Sequence, residues 1–126
     1  MAIVVSHRIR AREFGKAIPE QVLPVLLRTA RVVLATPMAG AELPAGTRLM
    51  KAYATSPEGP RRIVYMLQVE TGDLFLLFYR DKNDPIGANI SSKNPAFRAQ
   101  LRKHLALLLE DINRNQVEVI ALCDLQ

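Results

Sequence analysis

Two apolar runs, Ile63 to Val69 and Leu74 to Phe78, stand on either side of the short segment Glu70-Thr71-Gly72-Asp73. No other stretch restricts the fold as strongly. Runs rich in β-branched and aromatic residues, broken by a brief loop that holds a glycine, specify a β-hairpin. Neither run alternates cleanly between polar and apolar residues. Strands of that kind lie in mid-sheet with both faces covered. The charges are kept to the ends: Arg61 and Arg62 precede the first run, and Arg80, Asp81 and Lys82 follow the second. Antiparallel pairing makes those ends neighbours, so the hairpin gathers cations at one end of an apolar sheet.

The rest of the chain supplies what covers this hairpin. Ile3-Val4-Val5 is short and β-branched and is expected as a strand. Residues 8–18 carry two patterns. Arg8, Arg10 and Arg12 alternate as in a strand, whereas Phe14, Ala17 and Ile18 fit one side of a helix, and a short helix is the better reading. Pro19-Glu20 opens a second helix. Val22, Leu26, Ala30 and Val33 recur along it at helical spacing, and it ends near Ala35. Pro24 either lies in its first turn or kinks it. Residues 36–46, with their prolines and glycines, form a loop.

Residues 47–55 read as a strand with Leu49 and Lys51 on one face and Met50 and Ala52 on the other. A turn at 56–60 leads into the hairpin, and 84–93 is a polar loop. Asn94 is a good N-cap and Pro95 suits the first helical position. Phe97, Leu101, Leu105, Leu108 and Ile112 then form an inward stripe, so a helix is predicted over 95–112. Residues 116–122 read as a last strand at a sheet edge. The order β-α-α-β-β-β-α-β predicts an α+β fold, with a small antiparallel sheet packed on helices in one domain over residues 1–126.

Composition removes several function classes. No apolar run reaches about 18 residues, and the opening residues lack a basic stretch followed by a long apolar one. Neither a membrane span nor a secretory signal is therefore expected. Cys123 is the only cysteine, which excludes an internal disulfide and a cysteine-based metal site and favours the cytoplasm. A net charge of +5, spread along the chain, permits a polyanionic partner without demanding one. There is no phosphate-binding glycine loop, no closely spaced histidine pair and no Gly-x-Ser-x-Gly. His7 and His104 are the only histidines, and a lone histidine is more often structural than catalytic. No metal or cofactor is expected.

What remains is a group of cations and a tyrosine: Lys51, Arg61, Arg62, Tyr79, Arg80 and Lys82, with Asp81 and Asp84 close by. One reading is a solvated strand end with local ion pairs. The other is a phosphodiester site. Arginine gives phosphate a bidentate pair of hydrogen bonds. Lysine adds a point charge and a group able to transfer a proton. Such a cluster matches the charge that develops on phosphorus without a metal.

Several segments carry a resemblance in order: Pro37-x-x-Gly40-x-x-Leu43, Leu49-Met50-Lys51-Ala52-Tyr53, Arg62-Ile63-Val64-Tyr65 and Leu77-Phe78-Tyr79-Arg80-Asp81-Lys82-Asn83. Over residues 10–112 the chain resembles the RelE/HigB-type toxins of bacterial toxin–antitoxin pairs. The resemblance implies a small antiparallel sheet with an N-terminal helical hairpin and a C-terminal helix. It also implies a ribosome-dependent endoribonuclease that cuts mRNA and arrests translation, using basic residues and no metal, with a cognate antitoxin as partner. Lys51 falls on the family's basic strand position, with a proton-transfer or charge-stabilising role. Arg62 falls on the phosphate-binding arginine of the Arg-x-Val-Tyr strand, and Lys82 on the basic position that closes the next strand. Arg61, Arg80 and His104 are further candidates for contacting RNA. The family's nucleases commonly carry a late tyrosine or histidine. No tyrosine follows Tyr79 here and no histidine follows His104, so one of these takes that role or the chain follows the non-nuclease ParE-type branch, which acts on DNA gyrase.

Overall fold

The computed structural model of the chain describes residues 2–30, 37–38, 43–91 and 93–121. Its elements are β1 (Ala2–Ser6), α1 (His7–Glu13), α2 (Val22–Ala30), β2 (Pro37–Met38), β3 (Thr47–Ser56), β4 (Gly59–Gln68), β5 (Leu74–Asp81), a 3-10 turn at Gly87–Asn89, α3 (Pro95–Asn113) and β6 (Val117–Ala121). The fold is α+β. The sheet runs β2-β3-β4-β5-β1-β6, with β2 a two-residue strand at one edge and β6 at the other. No helix is long and apolar enough to cross a membrane among the described residues. The predicted end of the second helix, with Val33 and Ala35, lies outside those residues, as do Gly40 and Leu122.

The meander forms as the hairpin pattern requires. β3 pairs antiparallel with β4 over its whole length, from Thr47↔Gln68 to Ser56↔Gly59. β4 pairs antiparallel with β5 and places Arg62 opposite Arg80 and Arg61 opposite Asp81. The unbroken apolar runs of β4 and β5 have the expected cause, since each face of the sheet has its own core. On one face Ile63, Tyr65, Leu74, Leu76 and Tyr79 pack with Val22, Val25 and Leu26 of α2. On the other, Val64, Met66, Phe75, Leu77 and Phe78 pack with Phe97, Leu101, Leu105 and Leu108 of α3 and Ile9 of α1.

Three expectations are corrected. First, the sheet is mixed rather than antiparallel. β1 runs parallel to β5, with Ile3 opposite Leu74, and antiparallel to β6, with Ile3 opposite Ile120. The sequence of β1 explains its central place. Ile3 and Val5 enter one core and Val4 the other, so both faces of this short strand are covered. Second, α1 and α2 do not form a helical hairpin. Ile9 of α1 belongs to the core under α3, while α2 covers the opposite face. The linker carries Phe14 and Ile18 round to the α2 side. Third, Ile112 is 36% exposed. The inward positions of α3 are 97, 101, 104, 105, 108 and 111, because a 3.6-residue period brings Asp111 inward where the apolar spacing pointed to Ile112.

Local signals set the helix boundaries. Pro24 is the third residue of α2, within the first turn, where its missing N–H costs nothing. Asn94 accepts from Ala96 N at 3.1 Å and Pro95 opens α3. Ser6 caps α1 by accepting from Ile9 N at 3.2 Å. Asp111 is buried and takes the backbone N–H of Arg8 at 3.0 Å and its Nε at 2.9 Å, which fastens α3 to the start of α1. Burial pushes the Asp111 carboxyl up, but these Arg8 bonds outweigh it and hold the group below the usual carboxylate range.

Candidate functional site

The end of the meander at the Ser56–Gly59 turn presents different chemistry on its two faces. Residues directly opposite in an antiparallel pair point to the same face. Tyr53 of β3, Arg62 of β4 and Arg80 of β5 form one row across three strands. Leu49, two positions from Lys51, enters the α3-side core, and so does Val64, two positions from Arg62. Lys51, Tyr53, Arg62 and Arg80 therefore share the α3 side.

On this side the Arg62 guanidinium carbon lies 4.3 Å from the centroid of the Tyr53 ring, and Lys51 Nζ lies 5.6 Å from the same centroid. Tyr53 is 55% exposed. Neither Lys51 nor Arg62 is ion-paired among the described residues. Two cations are thus held against one open aromatic ring by its negative π face.

Arg80, next in the row, is differently placed. Its Nε and NH2 donate to the two carboxylate oxygens of Glu13 at 2.7 and 2.8 Å, and NH1 reaches Asp84 at 3.3 Å. The Glu13 side chain is 0% exposed and also accepts the Tyr79 backbone N–H at 2.8 Å. Arg80 thus ties α1 to β5 and to the loop beyond it. Asp84 in turn accepts from Ile86 N at 2.8 Å and so shapes that loop. Gly87 packs so closely on β5 that a Cβ there would overlap the Asp81 carbonyl oxygen. Neutralised by Glu13, Arg80 can stand opposite Arg62 without the penalty of a like-charge pair.

On the α2 side the cation is taken up by carboxylates. Arg61 donates to Asp81 at 3.0 Å and to Glu58 at 3.3 Å. Tyr79 lies opposite Ile63 on this side, its ring 5.2 Å from that of Phe14, with Arg61 and Ser56 beside its hydroxyl. Burial raises the Tyr79 pKa, only partly opposed by the Arg61 charge, so the phenol keeps its proton at neutral pH.

The structure therefore brings Lys51 and Arg62 together. It sets Tyr79 and Arg61 on the opposite face. Lys82 is exposed, just past the end of β5, and makes no hydrogen bond or ion pair with either. Sequence reasoning missed Tyr53 as a site residue and Glu13 as the partner of Arg80. The signal for Tyr53 was its spacing of two from Lys51, which puts both on one strand face. Among the described residues, no three His, Cys, Asp or Glu side chains gather as metal ligands would.

His104 is fully buried in the α3-side core. Its ring stacks on Phe78 with centroids 4.4 Å apart. Nδ1 meets the carbonyl of Leu77 at 2.7 Å and Nε2 accepts from Arg12 Nε at 3.0 Å. These partners fix the neutral tautomer with the proton on Nδ1. Leu77 is the β5 residue with no partner opposite it in β4, so His104 satisfies a carbonyl at a bulge. Burial pushes the His104 pKa down, joined by the Arg12 and Arg80 charges and opposed by the Leu77 carbonyl and Glu13. A lowered folded-state pKa means that the unfolded chain binds the proton more readily. The stabilisation is complete above about pH 6.5, the unperturbed value, and is lost as the pH falls from there through the folded pKa. Urea midpoints should therefore drop between pH 7.5 and 5.5 in the wild type and drop less in His104→Gln. Equal slopes would show that His104 does not carry this dependence.

The chain matches no protein-family model, no curated protein and no solved structure.

Proposed function

We propose that this chain is a toxin of the RelE/HigB kind, a metal- and cofactor-independent endoribonuclease that cuts mRNA at the ribosome in the cytoplasm and is restrained by a cognate antitoxin. The RelE likeness in this proposal is confined to the β3–β5 meander and α3, since the sheet is mixed and α1 and α2 form no hairpin. One observation carries it: Lys51 and Arg62 lie on adjacent strands against the open ring of Tyr53, and neither is neutralised by a carboxylate among the described residues. Arg61 and Arg80, equally basic in sequence, are both taken up by acids.

In the proposed reaction the guanidinium of Arg62 binds the scissile phosphate and the negative charge that grows on it. The adjacent 2′-oxygen attacks phosphorus and gives up its proton. The 5′-oxygen of the next nucleotide leaves and takes a proton, and a 2′,3′-cyclic phosphate remains. Lys51 stabilises the same charge and is able to carry a proton.

A second reading, a non-catalytic ParE-like toxin acting on DNA gyrase, is favoured by one placement. Tyr79 and His104, the two residues able to replace the late tyrosine or histidine of the nucleases, lie on the other face and in the core. Induction in cells separates the readings. The nuclease reading expects growth arrest with fragmented mRNA, and the gyrase reading expects arrest with intact mRNA and altered DNA supercoiling. Unimpaired growth would leave a small α+β interaction domain.

A further inference from the structure

The chain has three tyrosines and no tryptophan. Tyr65 is 0% and Tyr79 9% exposed, whereas Tyr53, near the Ser56–Gly59 end of the meander, is 55% exposed. A tyrosine ring left this open forgoes the burial that ordinarily stabilises it. Two cations nonetheless lie against it. Arg62 lies over it at 4.3 Å and Lys51 at 5.6 Å. The strands beneath are in register through Ser56↔Gly59, and Ser56 Oγ donates to the Gly59 carbonyl at 2.7 Å. An exposed aromatic on paired strands, with two cations beside it that no carboxylate neutralises among the described residues, combines the two elements of single-strand recognition, a stacking surface and charge for the backbone.

Resting on the RNA-cleaving reading above, we propose that Tyr53 is the platform on which an unpaired base of single-stranded RNA stacks, placing the phosphate next to it under Arg62 and Lys51. Bases within a duplex already stack on their neighbours, so a lone ring on a strand face selects an unpaired, splayed-out base. Arg62 then has two tasks, to hold the ring and to bind the phosphate. The ring takes no part in bond making or breaking. Tyr53 is a positioning residue.

The test is binding rather than cleavage. Fluorescence anisotropy at low salt compares labelled oligoadenylate with a ribose-phosphate oligomer of equal length that lacks bases, on the wild type, Tyr53→Phe, Tyr53→Leu and Arg62→Ala. Stacking of one base predicts that Tyr53→Leu loses roughly 5- to 150-fold in affinity for oligoadenylate, from about 1–3 kcal/mol per stacked base. Its affinity for the base-free oligomer stays the same, Tyr53→Phe keeps both, and Arg62→Ala weakens both. Because the other tyrosines are buried and there is no tryptophan, oligoadenylate should also quench the tyrosine emission of the unsubstituted protein. The base-free oligomer should not. Equal binding of the two oligomers by the wild type, with no selective quenching, overturns the stacking proposal and leaves the phosphate reading in place. Absence of binding to either oligomer overturns both.

Discussion

Arg80→Met will lower the stability of the protein by about 3–5 kcal/mol, the cost of leaving a buried carboxylate without its cation. Domains of this size are stable by about 5–15 kcal/mol in total, so the urea midpoint should move far or the fold should be lost. The carboxylate concerned is Glu13, whose side chain is fully buried. After the substitution it keeps only the Tyr79 N–H as a donor among the three bonds described for it. Adding Glu13→Gln to Arg80→Met should recover part of the loss. It removes the stranded charge and still offers an oxygen to Tyr79 N–H. The recovery is a direct reading of the coupling between the two residues. A loss below about 1 kcal/mol for Arg80→Met, the size typical of a solvent-exposed pair, would show that the Glu13 site is not dry.

On the nuclease reading proposed above, Arg62→Ala is expected to have the opposite profile. Removal of a charge-assisted contact to the transition state costs about 2–4 kcal/mol, a loss of roughly 30- to 1000-fold in RNA cleavage. Arg62 is half-buried and its described partner is the exposed Tyr53 ring, so the stability read from urea unfolding should change by about 0.5 kcal/mol or less. Arg62→Lys should restore only part of the activity, because the bidentate fork is gone. Growth arrest and mRNA fragmentation that persist at full strength in Arg62→Ala would remove Arg62 from the mechanism.

These two arginines show where sequence reading works and where it stops. The runs at 63–69 and 74–78 disclosed the hairpin and also that both its faces are covered, because continuous apolar character leaves no other place for them. The stripe of α3 was legible through Leu108 and failed at Ile112, where Asp111, made inward by Arg8, broke the apolar pattern. The central place of β1 was not legible. Five residues of strand say nothing about partners that lie at the far end of the chain. Faces were the main loss within the site. A one-residue change of register reverses every side chain, and the bulge at Leu77 makes such a change within the hairpin. Composition at the strand ends therefore grouped Tyr79 with Arg62, and the fold separates them. Long-range neutralisation was equally hidden. Nothing near Arg80 in sequence announces Glu13, so Arg61, Arg62 and Arg80 looked alike until their partners were seen.

The position of β1 has a bearing on synthesis. Ala2–Ser6 is made before every other described element, yet this strand is flanked by β5 and β6, and its β6 partners at 117–121 follow all the other described elements. The β3–β5 meander is local and can pair as soon as it emerges. The earlier strand must wait for β5 on one side and for β6 on the other before its apolar residues Ile3, Val4 and Val5 are fully enclosed. The Tyr53–Arg62 surface is thus built early, on a sheet that closes late.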